Sequence, residues 1–393
     1  MNVFENTATL LATCPLGLPP FLAEEMEALG LEPGRTLDNG VETQGTMQDC
    51  MRMNLHLHTA HRVLFELRRF RAVDADALYQ TLLKEPWEDL LDADGYVSVS
   101  SSVYNDTVND SRFANVRVKD AVADRFMQRT GRRPDSGPDQ SRGVCLFLHW
   151  RDDQATLYLD TTGESLSRRG YRRMPHKAPM QETLAAACVL ASNWREAAEQ
   201  GGSFVAPMCG SGTLAIEAAM IALNRAPGML GRDFAFTRVK GFDAEEYKRL
   251  RKKATKGTNK NFAGRIIATD LDPEAIRAAQ TNARMAGVED RIEFAVCDFR
   301  ETEIPETPGT VMLNPEYGKR LGDEKILRPV YKDIGDFFKQ HCGGYMGYIF
   351  TGNMSLAKSV GLRTKRRIIL HNAKIECRLL EYELYAGTRK TRS

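Results

Sequence analysis

The stretch FVAPMCGSGTLAIEAAMIA, residues 204–222, decides the fold. A short apolar run meets a glycine-rich turn and then a periodic apolar segment from 214 to 222, a pattern typical of a buried strand that leads into a helix. Glycines at 210 and 212 would let backbone N–H groups approach a ligand closely at the start of that helix. A tight connection without a ligand is the alternative, because such a turn is a modest signal by itself.

The same strand and helix rhythm continues towards the C-terminus. The predicted strands are RIIAT, IEFAV, TVMLN and YMGYIF, a helix covers 273–286, and RRIIL and ECRLLEYEL surround HNAK as a hairpin. Repeated strand–helix units imply a mainly parallel sheet with helices on both faces. We therefore predict an α/β domain over residues 165–393.

The first 164 residues have a different pattern. Strands at 7–13 and 35–43 alternate with helices at 20–29 and 46–55, and the alternating run RVLFELRRF begins a second set at Arg62. That second set continues with helices at 74–91 and 114–130, a strand at 95–103, a Gly/Pro/Asp loop at 131–143, and strands at 144–150 and 155–161. This order predicts two small α+β modules.

Composition narrows the classes of protein without deciding among them. Lys and Arg total 54 against 52 for Asp and Glu, so the overall charge neither requires nor excludes a nucleic-acid partner. The eight cysteines have no C-x-x-C spacing, and we interpret His56, His58 and His61 as surface positions, so no metal is assigned. With no basic leader and no apolar run of about 18 residues, we expect cytoplasmic residence and no membrane association.

Asp270 ends the second strand of the α/β domain, where a carboxylate can accept both hydroxyls of a ribose. It lies 58 positions after Gly212, far more than the roughly 20 of a compact dinucleotide fingerprint, which disfavours nicotinamide and flavin cofactors. The intervening insertion carries the basic run EEYKRLRKKATKGTNKNFAGR, residues 245–265. Its core, 248–265, is either an electrostatic footprint for nucleic acid or a solvated helix face.

The third strand of this domain ends in AVCDFRE. Asp298 could accept the exocyclic amine of an adenine while Phe299 packs beside it. A solvated loop aspartate is the alternative.

The motif VMLNPEYG, residues 311–318, places a polar side chain, a fixed carbonyl and an aromatic ring directly after a buried strand. An exocyclic amine on a base is a poor nucleophile because its lone pair is delocalised into the ring. If the Asn314 side-chain oxygen and the Pro315 carbonyl accept its two N–H bonds, the nitrogen is steered towards a methyl sulfonium while Tyr317 stacks on a flipped base. The alternative is an Asn-Pro turn with a core tyrosine.

Five blocks in this order carry a specific resemblance: LYLDTTGESLSRRGYR, HKAPMQETLAAACVLAS, APMCGSGTLAIEAAMIALNRAPG, TDLDPEAIRAAQTNARMAG and NPEYGKRLG. Together they resemble the THUMP-domain ribosomal RNA guanine-N2 methyltransferases, particularly the bacterial large-subunit type. The resemblance implies a ferredoxin-like domain at 1–62 and a THUMP domain at 63–164 that grip ribosomal RNA. It implies a class I (Rossmann-like, seven-stranded) methyltransferase domain at 165–393, with S-adenosylmethionine as cofactor and an antiparallel last strand.

The resemblance also assigns residues by motif position. Around the methionine part of the cofactor it places Pro207, Met208, Cys209, Gly210, Ser211, Gly212 and Thr213. Asp270 would hold the ribose and Asp298 the adenine. Asn314, Pro315 and Tyr317 would hold the guanine, with Asn314 also beside the cofactor.

Two positions depart from the family pattern. Ala206 replaces an aspartate that usually helps hold the cofactor's amino group, and Glu316 replaces a proline. Glu316 adds a carboxylate that would either take the proton lost after methyl transfer or simply face solvent. Two further functions therefore stay open: an adenine-N6 DNA methyltransferase, which the THUMP-type first half disfavours, and an RNA-binding homologue impaired in catalysis.

Overall fold

The structure is a computed structural model that describes residues 3–108, 110–174, 180–318 and 323–385. The chain forms two compact units. The first contains residues 1–14, 22–168 and 231–254, and the second contains residues 15–21, 169–230 and 255–393.

The first unit is built on an eight-stranded sheet. Its strands are β1 (Ala8–Thr13), β2 (Thr36–Leu37), β3 (Gly40–Gly45), β4 (Arg62–Arg71), β5 (Tyr96–Tyr104), β6 (Asp135–Gly137), β7 (Val144–Arg151) and β8 (Gln154–Asp160), in the spatial order β2-β3-β1-β4-β8-β7-β5-β6. The helices of this part of the chain are α1 (Pro19–Ala28), α2 (Met47–His56), α3 (Ala75–Leu82) and α4 (Ser111–Thr130). The two predicted α+β modules therefore share one sheet, because β1 of the first module pairs antiparallel with β4 of the second.

Two local predictions in this unit were wrong. The helix predicted over 74–91 ends at Leu82, and only a 3-10 turn at Trp87–Asp89 follows. Pro86 explains the break, since proline cannot donate a backbone hydrogen bond and disfavours the helical conformation of the residue before it. The predicted loop at 131–143 contains the short strand β6, which pairs parallel with β5.

The second unit is built on a seven-stranded sheet. Its strands are β9 (Phe204–Pro207), β10 (Ile266–Asp270), β11 (Glu293–Val296), β12 (Thr310–Leu313), β13 (Met346–Thr351), β14 (Arg366–Asn372) and β15 (Ile375–Glu383), in the order β11-β10-β9-β12-β13-β15-β14. The remaining helices of the described chain are α5 (Glu182–Leu190), α6 (Trp194–Glu199), α7 (Thr213–Ala222), α8 (Ala244–Lys256), α9 (Pro273–Ala286), α10 (Asp323–His341) and α11 (Met354–Lys358). Strand β15 runs antiparallel to both neighbours, which confirms the predicted class I topology.

Local chemistry explains the elements that carry the predicted motifs. Helix α9 begins with the side chain of Asp272 accepting the Glu274 N–H and with Pro273 in the first turn, and it ends at left-handed Gly287. Strands β9, β10 and β12 are parallel. Their carboxyl ends therefore meet at one edge of the sheet, where open α/β folds bind ligands.

The basic segment 248–265 is partly helical. Helix α8 buries Leu250 and Ala254, and on its surface Lys248 pairs with Glu245 and Arg249 with Glu246. Residues 231–254 belong to the first unit. Within the described ranges, none of the helices is both long and apolar enough to cross a bilayer.

Candidate active site

The glycine turn after β9 is fastened to the end of β10. The Cys209 N–H donates to the Thr269 carbonyl at 2.9 Å, and the Gly210 N–H donates to the Asp270 carboxylate at 2.8 Å. Gly212 has φ +83°, and a Cβ there would lie 2.8 Å from the Cβ of Ala279 in α9. Glycine is therefore required at 212, because both the left-handed backbone and the close approach exclude a side chain.

Space for a ligand lies on the other side of this turn. A Cβ built on Gly210 would meet no atom within 4 Å. The structure thus brings residues 207–213 and Asp270 together, as the sequence predicted. Asp270 also accepts the Asp272 N–H at 3.0 Å, and each carboxylate oxygen has a second lone pair for a further donor.

Asp298 has a partner that the sequence did not reveal. Its two carboxylate oxygens accept from the Arg300 guanidinium at 2.9 and 2.7 Å. This hydrogen bonding lowers the pKa of Asp298 below its ordinary value. The carboxylate therefore stays ionised, and an incoming amine would share it with Arg300.

Asn314 carries an acceptor with no partner. Its side-chain Oδ1 is buried, and no donor reaches it from the residues that the structure describes. An unsatisfied buried acceptor costs about 1–3 kcal/mol. Such a group in a native protein calls for an explanation, and a ligand N–H would satisfy this one.

The neighbouring loop residues differ in exposure. Pro315 is buried, Glu316 is exposed and Tyr317 is half-buried. The Tyr317 hydroxyl accepts a hydrogen bond from Asn372 Nδ2 at 2.8 Å, and burial raises the pKa of Tyr317. The Tyr317 carbonyl accepts from Asn353 Nδ2 at 3.4 Å.

A buried polar cluster connects residues 169–174 with α7, α9 and the glycine turn. Arg169 and Glu217 are 2% and 0% exposed and pair at 3.0 Å, and the Tyr171 hydroxyl donates to Glu217 at 2.9 Å. Asn282, fully buried in α9, accepts the Arg173 N–H and donates to the Ser211 carbonyl at 3.1 Å. Residues 169–174 are thereby tied to the glycine turn.

Several residues at this edge were not predicted from the sequence. Asn282, Asn353 and Asn372 make the contacts given above, and Leu271 is 70% exposed directly after Asp270. Only Asn353 carried a local signal, since it caps α11 by accepting two backbone N–H groups. The other contacts join residues far apart in the chain.

The seven-stranded sheet with an antiparallel last strand, the glycine turn and the Asn-Pro loop together define a class I methyltransferase domain. Residues 169–381 match the family model "RMKL-like, methyltransferase domain", and the chain belongs to this family. Residues 9–64 match the RlmL ferredoxin-like domain and residues 72–160 match the THUMP domain.

Similar proteins agree with this assignment. The chain is 39% identical, over 95% of its length, to the ribosomal RNA large subunit methyltransferase K/L of Syntrophotalea carbinolica, covering 53% of that protein. It thus spans about half the length of such relatives. A Synechocystis protein with a provisional RNA methyltransferase name is 33% identical over 97% of this chain and 98% of its own.

Solved structures resemble the fold over nearly the whole chain. A provisionally named methyltransferase in complex with SAH is 28% identical with a TM-score of 0.87, covering 98% of this chain and 100% of its own. A Listeria monocytogenes protein, described as a predicted N6-adenine-specific DNA methylase, is 29% identical with a TM-score of 0.85, covering 98% of this chain and 97% of its own.

Proposed function

We propose that this protein transfers a methyl group from S-adenosylmethionine to the exocyclic N2 amine of a guanine in large-subunit ribosomal RNA. The observation that carries the proposal is the buried Oδ1 of Asn314, which has no partner among the described residues and lies next to a proline carbonyl and a half-buried tyrosine. The matches to the THUMP domain and to large-subunit methyltransferases support RNA as the substrate and disfavour the DNA alternative.

The residues at the sheet edge fit the cofactor. The open space above Gly210 would take its methionine part, bounded by residues 207–213, and the free lone pairs of Asp270 would accept ribose hydroxyls. Asp298 would accept the adenine amine while keeping Arg300 as a neighbour. Exposed Leu271 offers an apolar surface beside the adenine. When bound, S-adenosylmethionine supplies an electrophilic methyl group on a sulfonium.

The chain's own contribution is to orient the amine. Asn314 Oδ1 and the Pro315 carbonyl accept its two N–H groups, which directs the nitrogen lone pair at the methyl group. Tyr317 offers a ring on which the flipped base can stack. Glu316 is exposed, so the proton released after transfer passes to solvent without needing that carboxylate.

Mass spectrometry of ribosomal RNA tests this function. Large-subunit RNA from cells without the gene should lack one N2-methylguanine, and wild-type protein should restore it while the Asn314→Ala variant should not. An unchanged modification profile would overturn methyl transfer to this RNA and favour an RNA-binding homologue without catalysis.

Ala206 provides a separate test of the cofactor site. Its side chain is buried at the end of β9, where the family pattern has an aspartate for the cofactor's amino group. Ala206→Asp should therefore tighten S-adenosylmethionine binding about 10- to 150-fold, as a charge-assisted hydrogen bond of about 1.5–3 kcal/mol predicts. Without cofactor the same variant should melt at a lower temperature, because its carboxylate is buried unpaired.

Isothermal titration gives the affinity, and thermal unfolding with and without cofactor gives the stability. Ala206→Asn, which adds similar bulk without the charge, is the matched control. Equal affinities for the aspartate variant, the asparagine variant and wild type would mean that the amino group does not reach position 206.

A further inference from the structure

The hydroxyl of Tyr317 is held by the β14–β15 hairpin. Asn372, the last residue of β14, donates to the hydroxyl oxygen at 2.8 Å. This hydrogen bond anchors the far end of a half-buried ring, whose face is the surface on which a substrate base can stack.

Gly352, which follows β13, lies against one edge of the Tyr317 ring. A Cβ at this glycine would lie 3.2 Å from both Cδ2 and Cε2 of Tyr317 and 3.1 Å from Ile375. These distances are shorter than ordinary van der Waals contact. The absence of a side chain at 352 therefore allows the ring its present position.

Asn353 holds the backbone of the Asn-Pro loop at Tyr317. Asn353 Nδ2 reaches the Tyr317 carbonyl at 3.4 Å and the Glu324 carboxylate at 3.0 Å, while its Oδ1 caps α11. Three elements of the second unit thus converge on one tyrosine. Preorganisation of this kind reduces the ordering cost of binding.

The hairpin tip itself has an unusual backbone. Asn372 pairs with Ile375, so Ala373 and Lys374 form a two-residue turn, and Ala373 has φ +54°. Alanine rarely adopts this left-handed conformation, and such strained positions cluster at functional sites. The tight turn fixes where the Asn372 side chain lies.

We propose that Asn372 and Gly352 are positioning residues that hold Tyr317 as a preset stacking platform, which makes the β14–β15 hairpin part of the base-binding site. The proposal rests on the proposed function, since it assigns the platform to the target base. Neither residue contacts the reacting atoms. Each acts through Tyr317.

A double-mutant cycle tests whether Asn372 acts through the tyrosine hydroxyl. Asn372→Leu removes the donor at similar size, and Tyr317→Phe removes the hydroxyl but keeps the ring. We expect each variant to raise KM for large-subunit RNA from gene-deleted cells about fivefold, as loss of one hydrogen bond predicts, with a smaller effect on kcat. The double variant should match the singles, because both remove the same interaction.

Additive effects, about 25-fold in KM for the double variant, would overturn the proposal, since Asn372 would then act on the RNA by another route. Gly352→Ala keeps the hydroxyl partners and should also raise KM by displacing the ring. Gln200→Leu is the matched control, because it makes the same amide-to-leucine change at an exposed position between α6 and β9, at the amino ends of the parallel strands, and its KM should equal that of wild type.

A second measurement does not depend on methyl transfer. In protein labelled with 13C at tyrosine Cζ, the resonance missing from Tyr317→Phe identifies Tyr317, and Asn372→Leu should shift it while Gln200→Leu should not. An unshifted resonance would overturn the anchoring by Asn372. If wild-type protein methylates no RNA but the shift occurs, the anchor stands and the proposed function alone has failed.

Discussion

Asn314→Ala is expected to lower single-turnover methyl transfer about 100- to 1000-fold, the usual cost of removing one group that stabilises the reacting atoms. The methyl side chain cannot accept an N–H, so the amine would keep its lone pair delocalised in the base. S-adenosylmethionine affinity should change no more than about tenfold, which is the range for one neutral hydrogen bond. Transfer of tritiated methyl groups to RNA from gene-deleted cells measures the first quantity, and isothermal titration measures the second.

The melting temperature of the Asn314→Ala variant gives an independent check of this prediction. Because Asn314 Oδ1 is buried without a partner in the described part of the chain, its removal should leave the melting temperature unchanged or raise it. Asn314→Asp keeps an acceptor oxygen and should retain more activity than alanine.

Glu316→Gln, two positions along, is the matched control and should keep the wild-type rate, because that side chain is exposed. A large loss in Glu316→Gln would instead assign the proton to this carboxylate. Equal activity of wild type and Asn314→Ala would remove the basis of the proposed function.

The glycine turn and the Asn-Pro loop were predictable because their signals are local. The apolar run before Gly210, the turn itself and the periodic helix after it lie within 204–222, and parallel strands bring Asp270 to the same edge. The chain's own alternation of strands and helices therefore predicted the mainly parallel sheet, and the family resemblance added the class I topology.

Other features depend on contacts that no local pattern encodes. Asn372 meets Tyr317 across 55 positions and Asn282 meets Ser211 across 71. The side chains on either side of such a contact look like ordinary turn or helix residues in the sequence. The pairing of β1 with β4, which joins the two N-terminal modules into one sheet, was missed for the same reason.

Local signals can also be overridden by a nearby residue. Asp298 looked like a free acceptor after a strand, but Arg300 lies close enough in the following turn to bind both carboxylate oxygens. Pro86 similarly ended a helix whose apolar periodicity continued beyond it.

The second large effect is expected on stability. Glu217→Leu would leave the Arg169 guanidinium, which is 2% exposed, without the carboxylate 3.0 Å away. Breaking a buried ion pair by removing one partner costs about 3–5 kcal/mol. For a unit of this size that corresponds to a fall in melting temperature of roughly 6–20 °C. Calorimetry or circular dichroism measures it, and cofactor-induced stabilisation should weaken because residues 169–174 are tied to the glycine turn.

A triple variant separates the cost of removing the carboxylate beside Arg169 from any need for the cluster itself. In Arg169→Met/Tyr171→Phe/Glu217→Leu, all three polar groups are replaced together, so the Arg169–Glu217 ion pair and the Tyr171–Glu217 hydrogen bond are removed with none of their members left behind. Replacing a whole buried ion pair by apolar groups of similar volume is often neutral or stabilising. The triple variant should therefore regain most of the lost melting temperature and, with it, the cofactor affinity. If it stays as unstable as Glu217→Leu, the hydrogen-bonded geometry of the cluster, rather than charge compensation, is what holds the segment 169–174 beneath the glycine turn.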